Sequence, residues 1–181
     1  MKIKVGVMGS ATETQSGKKE ALTQKAETLG RLIATRDLVL MTGATTGVVY
    51  VVGKAAHEAG ALHLGISPAH NLPEHIDEYK LPSDACDVII YTGFGLKGRN
   101  VVLVRSCDIV LFVAGGMGSL NEFTIAHDER KVIGCLLGTG GVADEAHLLL
   151  EKLSKVSGAR IFHDEDPNRL LDACIDAVES R

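Results

Sequence analysis

The run Ile109-Val110-Leu111-Phe112-Val113 has the length and apolar, β-branched character of a buried strand. It leads directly into Ala114-Gly115-Gly116-Met117-Gly118-Ser119-Leu120-Asn121-Glu122. The three glycines permit a tight turn free of side chains, and Ser119 is placed to open a helix reading from Leu120 to Arg130. Strand, glycine turn and helix start together make a place for an anion. The N–H groups at a helix start are unpaired and carry the positive end of the helix dipole. Glycine lets a phosphate approach that backbone closely. Glu122 cannot itself bind phosphate; facing such a site, it would handle a sugar hydroxyl or stabilise positive charge.

The same order of elements runs along the whole chain. Lys2–Met8 reads as a first strand, followed by Gly9-Ser10-Ala11-Thr12 and a helix from about Gly17 to Ala34, with Ala21, Leu22, Ala26, Leu29 and Ile33 at helical spacing. Leu38–Met41 is the second strand, Thr42-Gly43-Ala44-Thr45-Thr46-Gly47 a second glycine-rich turn, and Val48–Ala59 a buried helix stopped by Gly60. Ala61–Ile66 and Asp87–Tyr91 are the third and fourth strands. Between them, Ser67–Ala85 holds three of the four prolines and reads as a long loop with at most a short turn of helix. Thr92–Gly98 is expected to be a flexible, partly basic loop, and Arg99–Ser106 a helix. The central motif is followed by a sixth strand at Lys131–Leu137, the glycine cluster Gly138-Thr139-Gly140-Gly141, an amphipathic helix at Asp144–Lys155, a short strand at Ile161–His163 and a closing helix from Pro167 to Val178.

This alternation predicts one α/β domain over residues 1–181: a doubly wound parallel sheet of about six to seven strands with helices on both faces. The glycine turns after the first, second and fifth strands then share the C-terminal edge of the sheet. Open sheets bind ligands there, near the point where strand order reverses. The candidate ligand- and phosphate-binding residues are therefore Gly9 and Ser10; Thr42, Gly43, Thr45, Thr46 and Gly47; and Gly115, Gly116, Met117, Gly118 and Ser119.

Each candidate has a structural alternative that stays open at this point. Ser and Thr cap helices, a GGxG turn can be an ordinary connection, and Ser119-x-x-Glu122 has the pattern of a capping box, which the residues alone favour. Lys97 and Arg99 stand at a helix start after a glycine-rich loop; Arg99 can grip phosphate or stabilise developing negative charge, whereas a solvated pair is the reading the residues alone favour. Arg105 reads as surface or interface, and His127-Asp128-Glu129-Arg130 as a solvated helix end or oligomer contact. His57, His63, His70, His75, His147 and His163 show no paired spacing and are assigned no role.

Several classes of function are disfavoured. Aromatics are scarce and Trp is absent, which argues against base-stacking platforms. The net charge of −4, with no basic run, argues against duplex binding. Cys86, Cys107, Cys135 and Cys174 lie far apart and form no CxxC pair, and no secretory signal opens the chain. The expectation is a cytoplasmic protein with reduced, mostly buried thiols and no metal site. No apolar run is long enough to span a bilayer, so no membrane partner is expected. GxSxG is absent, and GxGxxG does not follow the first strand, which disfavours a serine hydrolase and an ordinary NAD dehydrogenase.

The motif Ala114-Gly115-Gly116-Met117-Gly118-Ser119-Leu120-Asn121-Glu122 resembles PGGxGTxxE, the signature of the LOG (Lonely Guy) family, formerly mislabelled lysine decarboxylases. Leu96-Lys97-Gly98-Arg99-Asn100 sits where that family carries an RK segment, Gly9-Ser10 resembles its first loop, and Thr42–Gly47 resembles its GGxxG loop. The resemblance covers about residues 3 to 137 and is nearest to the branch of molybdenum cofactor carrier proteins. It implies a Rossmann-like fold and a homo-dimer or homo-tetramer. In the family's hydrolases the motif turn holds the phosphate of a nucleoside monophosphate, and an Arg and the motif Glu support cleavage of the N-glycosidic bond. By position those catalytic residues are Arg99 and Glu122. Ala114 and Ser119 are mild departures from the motif, whereas Asn100 removes the Lys of the RK pair. Carrier relatives bind a phosphorylated pterin without turnover. The resemblance therefore implies a phosphorylated small-molecule ligand and no required cofactor. It leaves two readings, phosphoribohydrolase or non-catalytic carrier of a nucleotide or molybdenum cofactor; a structural homo-oligomer with a decayed site is a third.

Overall fold

The computed structural model describes residues 1–10, 19–153 and 157–180. Ala11 and Thr12 of the first loop, the expected helix start at Gly17, the helix end at Lys155 and the terminal Arg181 lie outside the described residues. In chain order the elements are β1 (Lys4–Gly9), α1 (Lys19–Thr35), β2 (Val39–Thr42), α2 (Val48–Glu58), β3 (Leu62–Ser67), β4 (Val88–Tyr91), α3 (Gly95–Ser106), β5 (Ile109–Val113), α4 (Met117–Asp128), β6 (Val132–Leu136), α5 (Gly141–Leu153), β7 (Arg160–Asp164) and α6 (Pro167–Glu179).

All seven strands join one parallel sheet in the order β4-β3-β2-β1-β5-β6-β7. Strand order reverses between β1 and β5, where Gly9 stands in register with Val113. The expected Rossmann-like architecture is what the chain adopts.

The alternation of side chains along β5 accounts for the two cores. Ile109, Leu111 and Val113 point to the layer formed with α1, α2 and α6; Val110 and Phe112 point to the layer of α3, α4 and α5. All five are fully buried, and each such side chain contributes about 1.5–3 kcal/mol by leaving water. Cys107, Cys135 and Cys174 are buried, Cys86 is half-buried, and all four are free thiols.

Three helix starts differ from the sequence expectation. α3 begins at Gly95, so part of the expected flexible loop is helix, anchored where the Gly95 N–H donates to the Pro68 carbonyl. α4 begins at Met117, with Gly116 as its cap. α5 begins at Gly141, where Asp144 accepts the N–H groups of Gly138 and Gly140. Glycines at these starts conceal helix from a propensity reading, because the turns are held by contacts from other elements.

The long connection after β3 is ordered around His75, which is buried in a π-helical turn at Glu74–Glu78. His75 pairs with Ser67 Oγ at 2.8 Å and the Pro82 carbonyl at 3.0 Å. The carbonyl can only accept, so Nε2–H donates there and Nδ1 accepts from the Ser67 hydroxyl. No helix among the described residues is long and apolar enough to cross a membrane, and none of their His, Cys, Asp and Glu side chains gather in groups able to hold a metal.

Candidate functional site

A cleft of about 160 Å³ opens at the reversal point, between the C-terminal ends of β1 and β2 and the first turns of α3 and α4. Of the sequence candidates, it gathers Gly9, Gly43, Thr45, Arg99, Gly118, Ser119 and Glu122. Lys97, Asn100 and the apolar Val7, Met8, Val49 and Leu96 complete its wall.

The turn after β5 is built by backbone geometry. Ala114 (φ 57°) and Gly115 (φ 109°) both take positive φ, the second in a conformation that side chains resist. Gly116 is extended and offers no side-chain cap, so the N–H groups opening α4 face outward. The turn is braced from β6. Thr139 is buried; its Oγ1 accepts from the Ala114 N–H at 2.8 Å and donates to the Leu136 carbonyl at 2.6 Å. The Val142 and Ala143 N–H groups bind the Gly115 and Ala114 carbonyls.

The capping box is corrected by this geometry. Ser119 lies within the first turn of α4 rather than before it, and its hydroxyl donates to the Gly9 carbonyl at 3.1 Å, tying the first and third glycine turns together. Glu122, deeper in the helix, is released from any capping role. Its carboxylate faces Arg99 Nη1 at 3.5 Å, with both side chains about nine-tenths buried.

Arg99 lies against Gly43, where a Cβ would stand 2.2 Å from Nη1, and its buried Nε has no hydrogen-bond partner. Burial lowers the guanidinium pKa, and Glu122 opposes that shift. Burial pushes the Glu122 carboxyl up to about 7, against the pull of Arg99 and Lys97. The shift therefore reflects desolvation outweighing the ion pair, as expected for two charges taken from water in imperfect geometry. Asn100, also buried, donates its amide nitrogen to Asn121 Oδ1 at 2.8 Å; with both amides turned over, the same nitrogen reaches Glu122 Oε1 at 3.1 Å and the Leu96 carbonyl at 3.0 Å.

The other candidates stand apart from the cleft wall. Thr42 is buried in a structural relay: its hydroxyl accepts from the Ala44 N–H at 3.1 Å and donates to His63 Nε2 at 2.8 Å, while His63 Nδ1–H donates to the Ala85 carbonyl. Burial drops the His63 pKa to about 4, so the ring is neutral. Gly47 (φ 74°) caps α2, and the Ser10 carbonyl accepts from Val48 at that helix start. Thr46 neighbours the same turn. Gly115 and Gly116 shape the third turn, and Met117 is exposed at its rim. Sequence reasoning missed the apolar wall and Thr139, although the Gly138–Gly141 cluster marked the position of the brace.

A Rossmann-like sheet with a cleft built from three glycine turns at its reversal point defines a ligand-binding α/β protein. The chain belongs to the SLOG cluster4 family, whose sequence model matches residues 2–171. It is 28% identical over 110 residues to the cytokinin riboside 5'-monophosphate phosphoribohydrolase LOG5 of Arabidopsis thaliana, spanning 60% of this chain and 46% of that protein. Two solved structures align over nearly the whole chain. The molybdenum cofactor binding protein of Rippkaea orientalis is 29% identical with a TM-score of 0.74, covering 99% of this chain and 97% of its own. The molybdenum cofactor carrier protein of Chlamydomonas reinhardtii is 28% identical with a TM-score of 0.73, covering 100% of both. These likenesses support a ligand-binding or carrier role within the family.

Proposed function

We propose that the cleft binds a nucleoside 5′-monophosphate and hydrolyses its N-glycosidic bond. The observation that carries this reading is the buried Arg99–Glu122 pair, held in one cleft with the uncapped start of α4. The phosphate sits on the N–H groups of the Gly118–Ser119 turn. The sugar lies over Glu122. The bond from C1′ to the base nitrogen breaks with its electron pair leaving on the base. Water then adds at C1′, giving ribose 5-phosphate, and its proton ends on the base. Glu122 as carboxylate stabilises the oxocarbenium-like sugar and positions the water; Arg99 holds the carboxylate in place and meets developing negative charge. A homo-dimer or homo-tetramer accompanies this reading, as in the resembled family.

A second reading is favoured by Asn100. Its neutral amide occupies the position of the motif lysine, within hydrogen-bonding reach of Glu122, and both solved relatives named for the molybdenum cofactor align over nearly the full chain. On that reading the same turn carries a phosphorylated pterin without turnover.

Thermal unfolding tests the shared premise, because a ligand that binds only the folded state must raise the melting temperature. AMP, GMP or a molybdopterin extract raises it on this account, and adenosine and guanosine do so less. No stabilisation by any phosphorylated ligand at high excess would overturn both readings.

A further inference from the structure

We propose that Lys97 makes this cleft select a phosphorylated ligand over its dephosphorylated counterpart. The inference rests on the phosphate site proposed above and assigns its discriminating cation.

Among the described residues, three charged side chains line the cleft: Lys97, Arg99 and Glu122. Arg99 and Glu122 face each other and offset one another's charge. Lys97 forms neither a hydrogen bond nor an ion pair with any described residue, and its positive charge is left over. It occupies the first turn of α3, where no acidic side chain is present and where the helix dipole disfavours a cation.

It also faces a second positive helix end. A Cβ on Gly118, in the first turn of α4, would lie 4.0 Å from Lys97 Nζ. Two helix N-termini, neither with a side-chain cap, thus meet an exposed ammonium across one cleft. Arg99 adds a third feature: about nine-tenths buried, it lines the same cleft, and its guanidinium makes no hydrogen bond to a described residue. A dianion seated at Gly118 answers all three features. A neutral nucleoside or pterin answers none of them.

The position explains how Asn100 is tolerated. Lys97 lies one helical turn before Asn100, on the same side of α3. The cation therefore reaches the phosphate from the rim, while the buried position beside Glu122 carries a neutral amide.

Isothermal titration of the full chain with AMP and with adenosine tests this, using the native protein, Lys97→Met and Lys97→Arg. Lys97 is exposed, so neither change disturbs packing. Lys97→Met is expected to weaken AMP about tenfold, with adenosine unchanged, and Lys97→Arg to retain the preference for AMP. If Lys97→Met keeps the native ratio of AMP to adenosine affinity, the assignment of Lys97 is overturned and the phosphate site stands. If the native protein itself fails to distinguish AMP from adenosine, the phosphate-site reading falls, and this inference with it.

Discussion

The Arg99 guanidinium lies against the backbone of Gly43, so closely that a methyl group there would stand 2.2 Å from Nη1 and 2.6 Å from Cζ. A residue of the second glycine turn therefore sets where the cation of α3 stands relative to Glu122. Gly43→Ala is expected to push Arg99 off its position and to lower ligand affinity or turnover at least about tenfold, with a stability loss of about 1–3 kcal/mol from overpacking. Ligand titration and urea unfolding of the same variant check the two effects.

The raised carboxyl of Glu122 predicts a pH signature in stability. Its folded-state pKa of about 7 exceeds the unfolded value of 4.5, so the native state binds this proton more tightly. The corresponding stability is fully present below about pH 4.5 and is lost as pH rises through about 7. Relative to Glu122→Gln, the native protein should therefore lose on the order of 2–3 kcal/mol across that window. Taking the difference between the two proteins cancels the opposing contribution of His63, whose depressed pKa of about 4 costs stability on acidification. A flat difference from pH 4 to 8 would contradict the placement of Glu122.

On the proposed hydrolase reading, the same group should set the pH profile of turnover. Acting as a carboxylate stabiliser, Glu122 should then make the rate rise with pH through about 7. Asn100→Lys places a cation beside Oε1 and should move that limb to lower pH. Rate measurements from pH 5 to 9 on the two proteins check it; an unmoved limb would show that another group titrates.

Adjacent glycines of the third turn predict opposite outcomes. Gly115 has φ 109°, and a Cβ would meet the Ser119 side chain at 2.7 Å. Gly115→Ala should cost about 1–3 kcal/mol in unfolding free energy. Gly116 has φ −111° and open space where its Cβ would go, so Gly116→Ala should stay within about 0.5 kcal/mol of the native protein. Equal losses at the two positions would contradict the turn as described.

Thr139 braces that turn through two hydrogen bonds. Thr139→Val leaves the Ala114 N–H buried without an acceptor and should cost about 1–3 kcal/mol, whereas Thr139→Ser should recover most of it. Denaturant midpoints of the two variants distinguish lost hydrogen bonding from altered packing.

The sheet was legible because each strand is an unbroken apolar run and the connections that must bend sharply carry glycine. The C-terminal location of the cleft followed from that alternation. Individual roles were less legible because they depend on contacts between distant segments. Ser119-x-x-Glu122 reads locally as a capping box, yet the Ser119 hydroxyl finds the Gly9 carbonyl, 110 residues earlier in the chain. Thr42 reads as a ligand residue, yet its hydroxyl is committed to Ala44 and His63. His63 and His75 carry no spacing signal because each is fixed by one hydroxyl and one backbone carbonyl, and a carbonyl leaves no mark in the residue pattern. The start of α3 was hidden because Gly95 and Gly98 are poor helix formers whose turn is held in place by the connection after β3.

Release of free base from AMP and GMP, followed chromatographically for the native protein and Glu122→Gln, tests the central claim most directly. The native protein is expected to release adenine or guanine, and Glu122→Gln to lose that release with its fold retained. Equal release by both proteins, or none from the native protein while AMP still raises its melting temperature, would contradict catalysis at Glu122; the latter result would identify the cleft as a carrier site.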